Sequence, residues 1–381
     1  MTSALDGLIV IDATSEFFSS LGVALLADFG ADVIRIDNGE RRLSADYHDR
    51  LANRNKRSVS LDLGLDAGRA ALRDMVAKSD VFVTDAGLST LAERGLDYAT
   101  LSAAEPDLIY ARASGFGPKG PDNDLPPLDE LAAARTGMMP ILPQPGQPPV
   151  YPQIGGMYTA VMLAFGVMTA LHHREETGEG QEVDVSLLAG NMYGASLDLQ
   201  AYLAIGGERF LHPVSRMDAG NPMSGTLYMT SDGLWVTLTM PDTDRWWPDL
   251  SEIVGLGVGD SRFNSHELRC EVNRLELIDE LAKAFEREPA DHWRKTFTER
   301  QMSADIIERY DFPVQDKQAY DNRYILEADG GAPKTLGFPI FMAETPAEMK
   351  RAAPRIGEHT DEVLSDLLGL TEDQIAEAAR S

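Results

Sequence analysis

The stretch RASGFGPKGP, residues 112–121, contains GFGPKG, which fits the G-x-G-x-x-G spacing of a dinucleotide fingerprint letter for letter. Such a fingerprint works between a strand and the helix that opens on it, because the helix N-terminus holds the pyrophosphate. A strand-like run, DLIYARAS (107–114), does precede it. Pro118 and Pro121 lie in or beside the motif, however, and PDNDLPPLDE postpones the next helix to about Leu128. The first strand–helix junction, IDATSEFFSSLG, has no glycine cluster. The glycines after Ser114 are therefore expected to build a turn, and a dehydrogenase is not the expected function.

Working outward, the first half alternates β-branched runs with helical patterns. LIVID (8–12), DVIRID (32–37), SVSLDL (58–63), DVFVTD (80–85) and EVDVSLL (182–188) read as strands. SSLGVALLADFGA, LDAGRAALRDMVAKS and a long segment from Met157 read as helices between them. Alternation of this kind predicts a parallel, doubly wound α/β sheet. The character changes near Met223, where GTLYMT, SDG and LWVTLTM spell a hairpin, followed by ELIDELAKAFERE and ADHWRKTFTERQ as helices. The expected division is a large domain over 1–199, a linker over 200–221, a small α+β domain over 222–318, a second linker over 319–340, and a return to the large domain over 341–381. Two short helices end the chain, the last capped by Thr371.

Composition narrows the function classes. With 34 basic and 61 acidic residues the net charge is −27, which repels nucleic acid and anionic membranes. An anionic substrate would need a local basic patch. The single Cys270 excludes an intrachain disulfide and a cysteine-based metal cluster, which fits a reducing cytoplasm, and no metal-ligand spacing appears. No signal peptide is read at MTSALDGLIVID, and GGMYTAVMLAFGVMTALHH reads as a buried core helix with no membrane role.

Five blocks, taken in order, resemble the class III CoA-transferase family, the CaiB/BaiF group that includes the α-methylacyl-CoA racemases. GLIVID with ALLADFGADVIRID is similar to that family's first strand, helix and strand. NRNKRSVSLDL resembles its N-R-x-K-R-S block, and LSAAEPDLIYARASGFGPKGP its S-G-F-G-x-x-G-P block. REETGEGQEVDVSLL and RIGEHTDEVLSDLLGL resemble the two remaining blocks. The resemblance implies a Rossmann-like large domain built from both chain ends, a small middle domain, and an interlocked dimer. It also implies acyl-CoA and carboxylic acid as substrates, with CoA passed from one acid to another and no metal.

The chain departs from that family at the positions that carry its chemistry. The transferases use an aspartate ahead of the long helix, where a carboxylate attacks the thioester. In VYPQIGGMYTAV its place falls on Pro152, and no Asp or Glu lies between Met138 and Glu175. The racemase histidine falls on Leu128, before Asp129, and a further racemase glutamate falls near Met240. The thioester-binding turn E-N-F-R-P-G is TDAGLS (84–89), without its asparagine and arginine. Expected functions are therefore a divergent CoA-transferase or one subunit of a heteromeric pair; an acyl-CoA isomerase, lyase or hydrolase working by another route; or a non-catalytic partner subunit. The dimer is a homodimer or pairs with a homologous chain.

Candidate catalytic groups are Asp129, which alternatively opens a helix as its first-turn acid, and Tyr151 and Gln153, which flank Pro152 and alternatively are loop polarity. Arg54, Lys56 and Arg57 form the best basic cluster of an acidic chain, with CoA contact and a solvated loop as the two readings. The resemblance also places Leu63, Asp85 and Arg94 at the CoA. Tyr158 is expected in the core, and Trp246 and Trp247 in the small-domain core or an acyl-pocket wall.

Overall fold

A computed structural model of the chain describes residues 3–38, 46–207, 211–215, 220–327 and 334–379. Its first half runs β1 (Ile9–Ala13), α1 (Phe17–Asp28), β2 (Asp32–Asp37), α2 (Asp46–Asn53), β3 (Arg57–Ser60), α3 (Asp66–Val76), β4 (Val81–Thr84), α4 (Leu88–Arg94), α5 (Tyr98–Ala104) and β5 (Ile109–Ser114). After α6 (Asp129–Ala133) come α7 (Gly155–Thr177), β6 (Gln181–Ser186), α8 (Leu187–Gly194) and α9 (Ser196–Ile205). The six strands pair in parallel in the order β3-β2-β1-β4-β5-β6, the order of a doubly wound sheet.

The central strands are buried along almost their whole length because both faces of the sheet are covered. Successive side chains point to opposite faces, so each strand feeds two cores. Val10, Val33, Val81 and Ile109 join α1 and α7 on one side. Ile11, Ile34, Phe82 and Tyr110 join α3 and the C-terminal helices on the other. Where α1 crosses α7 the approach is so close that a Cβ on Gly22 would lie 2.7 Å from the Ala160 carbonyl oxygen.

The glycines after β5 build a turn, as expected. Gly117 and Gly120 have φ of 95° and 90°, the left-handed region that favours glycine, and the Gly117 N–H donates to Ser114 Oγ. The next helix is α6, N-capped at Leu128, so no helix opens on the glycines.

The first compact unit comprises Met1–Met139, Val150–Glu208 and Leu326–Ser381. The block from Asn53 to Arg57 shows how the two chain ends join. Arg54 donates to both oxygens of Asp28, to the carbonyls of Leu336 and Gly337, and lies over the Phe338 ring. Asn55 donates to Glu348 O and accepts from the N–H groups of Lys350 and Arg351. Lys56, wholly buried, meets Asp12 Oδ2 at 2.6 Å and Ser20 O at 2.8 Å. Arg57 joins Asp32 and Glu362. Arg54 and Lys56 are thus buried on carboxylates of their own chain, which corrects the solvated-loop reading for these two, while Arg57 is partly exposed and pairs with Asp32 and Glu362 nearer the surface. Two C-terminal helices, Thr360–Leu368 and Glu372–Ala378, close the unit against α3 and β3, with Thr371 N–H donating to Gln374 in a capping box.

One face of α7 is buried. The other exposes Val161 and Phe165, and Tyr158 is 42% exposed, so the expectation of a core tyrosine is corrected. This is the one helix among the described residues long and apolar enough to cross a membrane, and half of its apolar window is buried inside the fold. The stretch read as a linker from residue 200 is still helix α9 to Ile205.

The second unit comprises Pro140–Pro149 and Arg209–Ile325. It holds the expected hairpin, β7 (Ser224–Met229) with β8 (Trp235–Thr239), antiparallel, and a third strand, β9 (Ala304–Ile307), that sequence patterning did not show. Helices Thr243–Ile253, Arg274–Phe285 and Ala290–Glu299 pack Trp247, Phe285 and Trp293 on this sheet. Trp247 is therefore core, and Trp246 is half-buried beside it with Arg245 over its ring.

Candidate active site

In an open α/β sheet, ligands bind outside the carboxyl ends of the strands where the strand order reverses. Here that point lies between the parallel neighbours β1 and β4, after which the chain proceeds to opposite edges of the sheet. The loops after these strands enclose two adjoining cavities of about 570 and 240 Å³, which share Ser15, Asp85, Ala86, Gly87 and Thr90. The larger is completed by Glu16, Arg112, Asn123, Asp124 and Pro127. The smaller is completed by Thr14, Asn38, Leu63, Arg94 and Leu96.

Asp85 forms the wall between them. It is 7% exposed, and it accepts from the Ser15 and Glu16 N–H groups at 2.8 to 3.0 Å and from Ser15 Oγ and Ser19 Oγ at 3.0 and 2.6 Å. Burial pushes its carboxyl above the usual range, against the pull of those donors. Arg112, on β5, stands directly beside Asp184 in the parallel register and donates to it at 2.7 Å. Its Nη2 is buried without a hydrogen-bond partner. Asp124 reaches from the loop after β5 to the start of α4, and hydrogen bonds from Ser89 hold its carboxyl below the usual range.

A second polar cluster lies just past the cavity wall formed by Pro126 and Pro127. Asp129 Oδ2 accepts from Tyr151 Oη at 2.7 Å, and Oδ1 accepts from Asn191 Nδ2 at 2.7 Å. Asn191 is buried, and Gly155 at the start of α7 comes so close that a Cβ there would overlap both Asn191 and Asp129. Burial and the Asp129 charge push the Tyr151 phenol well up, so it stays a proton donor.

Of the residues singled out from sequence, Leu63, Asp85 and Arg94 come together at the smaller cavity. Asp129 and Tyr151 come together at the second cluster; Gln153 is exposed, at φ 56°, and takes no part in it. Arg54, Lys56 and Arg57 belong to neither. Sequence reasoning missed Arg112, Asp124 and Glu16 in the crevice and Asn191 at Asp129. Asn191 left no local signal, because it meets Asp129 across 62 residues. Asp124 had a local one, the acidic, proline-ended DNDLPP loop that follows the glycine turn.

Residues 5–360 match CoA-transferase family III. The chain belongs to this family. Over 99% of its length it is 30% identical to the cinnamoyl-CoA:phenyllactate CoA-transferase of Clostridium sporogenes, covering 96% of that protein. It is 28% identical to the beta subunit of the succinyl-CoA–L-malate CoA-transferase of Chloroflexus aurantiacus, over 98% of this chain and 96% of that one. A CaiB/BaiF family protein from Brucella suis has the same fold, with a TM-score of 0.86 over 96% of this chain and all of that chain at 24% identity. The chain is thus a class III CoA-transferase, of the enzymes that move CoA between carboxylic acids, and its relatives include subunits of heteromeric transferases.

Proposed function

We propose that this chain is the CoA-holding subunit of a transferase whose nucleophilic carboxylate comes from a homologous chain. The observation that carries this reading is the approach to α7. Tyr151, Pro152, Gln153 and Ile154 lead into Gly155 there, with no carboxylate among them, and the resemblance in sequence puts the family's aspartate at Pro152. The nearby acid, Asp129, has both oxygens engaged by Tyr151 and Asn191, which lowers its value as a nucleophile. The switch-point crevice, in contrast, stands ready for a CoA ester, with Leu63, Asp85 and Arg94 on its walls. The chemistry assigned to the partner is nucleophilic. Its carboxylate attacks the thioester carbonyl and expels the CoA thiolate, leaving a mixed anhydride; the thiolate then attacks the enzyme carbonyl and releases the first acid. The acceptor acid reverses both steps and leaves as the new thioester.

The same reading calls for an intertwined dimer in the cytoplasm. It is supported by an apolar face left uncovered on the first unit, where Phe165 on α7 and Leu197 on α9 are 72% and 88% exposed, with Tyr193, Leu203 and Ile205 beside them. The beta-subunit relative supports a mixed pair over a homodimer.

The deciding experiment is a native mass of the complex purified from its own organism. A mixed dimer with a homologous chain that bears the aspartate is the expected result. A pure homodimer with transferase activity would overturn it and turn attention to a second reading, in which Asp129 itself accepts the acyl group. That reading rests on the position of Asp129, two residues past Pro127 of the cavity wall. Acyl-CoA treatment followed by hydroxylamine and peptide mass analysis would then mark residue 129.

A further inference from the structure

The mouth of the first helix after β1 is where a doubly wound sheet ordinarily receives a phosphate, because N–H groups and the helix dipole both point outward there. In this chain the place is taken from within. The carboxyl group of Asp85 lies across it, accepting from Ser15 N–H, Glu16 N–H and the hydroxyls of Ser15 and Ser19. Asp85 is 7% exposed and follows β4 directly, so the sheet itself holds it there.

The rest of the cavity wall points the same way. Asp124 sits on the start of α4, close enough to Gly87 that a Cβ there would lie 2.6 Å from its Oδ1. Glu16 adds a third carboxyl group to the larger cavity. Among the described residues that line that cavity the one cation is Arg112, and its Nε is committed to Asp184. A phosphate entering here would meet three carboxyl groups against one arginine, whose Nη2 is left without a hydrogen-bond partner.

We propose that Asp85 is a specificity-determining residue that fills the phosphate position of the switch-point crevice, so that the larger cavity admits only uncharged parts of the ligand. This rests on the CoA reading of the crevice. On this proposal an amide-rich pantetheine arm occupies the larger cavity, and the phosphates of CoA remain outside it, on the side of Arg94.

The test compares the wild-type protein with Asp85→Ser, which frees the donors and keeps the site polar, and uses inorganic phosphate as the probe. Thermal unfolding and phosphorus NMR line widths are followed against phosphate concentration. The expected result is a saturable response in Asp85→Ser, with apparent affinity at least about tenfold tighter than in wild type. A saturable response already present in the wild type, unchanged by the substitution, would overturn the proposal, and so would a folded Asp85→Ser protein that ignores phosphate. Should the serine variant not fold, Asp85→Asn answers the same question, since its amide nitrogen cannot accept and leaves part of the donor set free. CoA titration of the wild type separates the two readings: no CoA binding would sink the crevice as a CoA site, whereas inorganic phosphate that competes with pantetheine for the wild-type cavity would sink the exclusion of phosphate from it.

Discussion

The block from Asn53 to Arg57 and the crevice between β1 and β4 both read, in the sequence, as places where CoA could be held. The block is rich in cations and the crevice is rich in acids, so charge alone would favour the block. The structure reverses that order. Lys56 is fully buried on Asp12 and Ser20, tying β3 to β1 and α1, while Arg54 is 3% exposed on Asp28 and holds the segment at Leu336 and Gly337. The crevice has cavities of about 570 and 240 Å³ and sits where the topology opens the sheet. In a chain of net charge −27, a cation has many acids to find, and a cluster of basic residues is as readily structural as ligand-binding. On the proposed reading, topology points to the ligand better than composition does.

The comparison breaks most easily at Lys56. Lys56→Met removes the cation and leaves the Asp12 carboxylate buried, with Thr14 as its remaining hydrogen-bond partner. Removing one partner of a buried pair costs about 3–5 kcal/mol. Urea denaturation should show a loss of that size, with CoA affinity of the folded fraction unchanged. Weaker CoA binding at unchanged stability would restore the block as a ligand site. Arg54→Ala should follow at about 2–3 kcal/mol, from its charged hydrogen bonds. Its distinguishing sign is local: hydrogen exchange should rise first around Leu336 to Phe338, the segment that Arg54 holds.

Much of the sheet was legible because its signals are local. Strands such as DVIRID and VFVT are short β-branched runs between turn residues, and β2 occupies the residues expected of it. The prolines after GFG kept the next helix away, so the turn was legible too. What escaped were partnerships across long separations. Arg54 reads as a surface cation until Gly337 is seen against it, 283 residues away, and Asp129 reads as a helix-opening acid until Asn191 meets it. Strand β9 was hidden for a related reason. ADII is too short to show an alternation, and it becomes a strand only because β8 offers an open edge. Asp85 was legible as a departure from E-N-F-R-P-G, but its cap on the loop before α1 was not.

Arg94 sharpens the comparison from the other side. It is half-buried at the rim of the smaller cavity, and Arg94→Ala should leave unfolding within about 0.5 kcal/mol of wild type. CoA affinity, read by calorimetry, should fall roughly tenfold, the worth of one charged hydrogen bond. The two basic sites would then show opposite signatures: stability without affinity at Lys56, and affinity without stability at Arg94. An equal loss of both at Arg94 would place it with the block.

The smallest effect concerns the charge on Asp85, and its sign can be worked out. Burial is the largest influence on this carboxyl and raises it above its ordinary value of 3.8, while Ser19, Glu16 and Ser15 pull it partway back. The folded chain therefore keeps the proton to higher pH than the unfolded chain does. Between the two values the native state binds more protons, so the contribution of this group to stability is present at low pH and is lost as the pH rises through the raised value. Asp85→Asn has no such step, and Asp28 and Asp184, which burial also raises, are common to both proteins and cancel. Wild-type stability measured relative to Asp85→Asn should thus climb as the pH is lowered into the window just above 3.8. The opposite slope would mean that the donors outweigh burial and hold Asp85 as a firm anion, which would strengthen its resemblance to a bound phosphate.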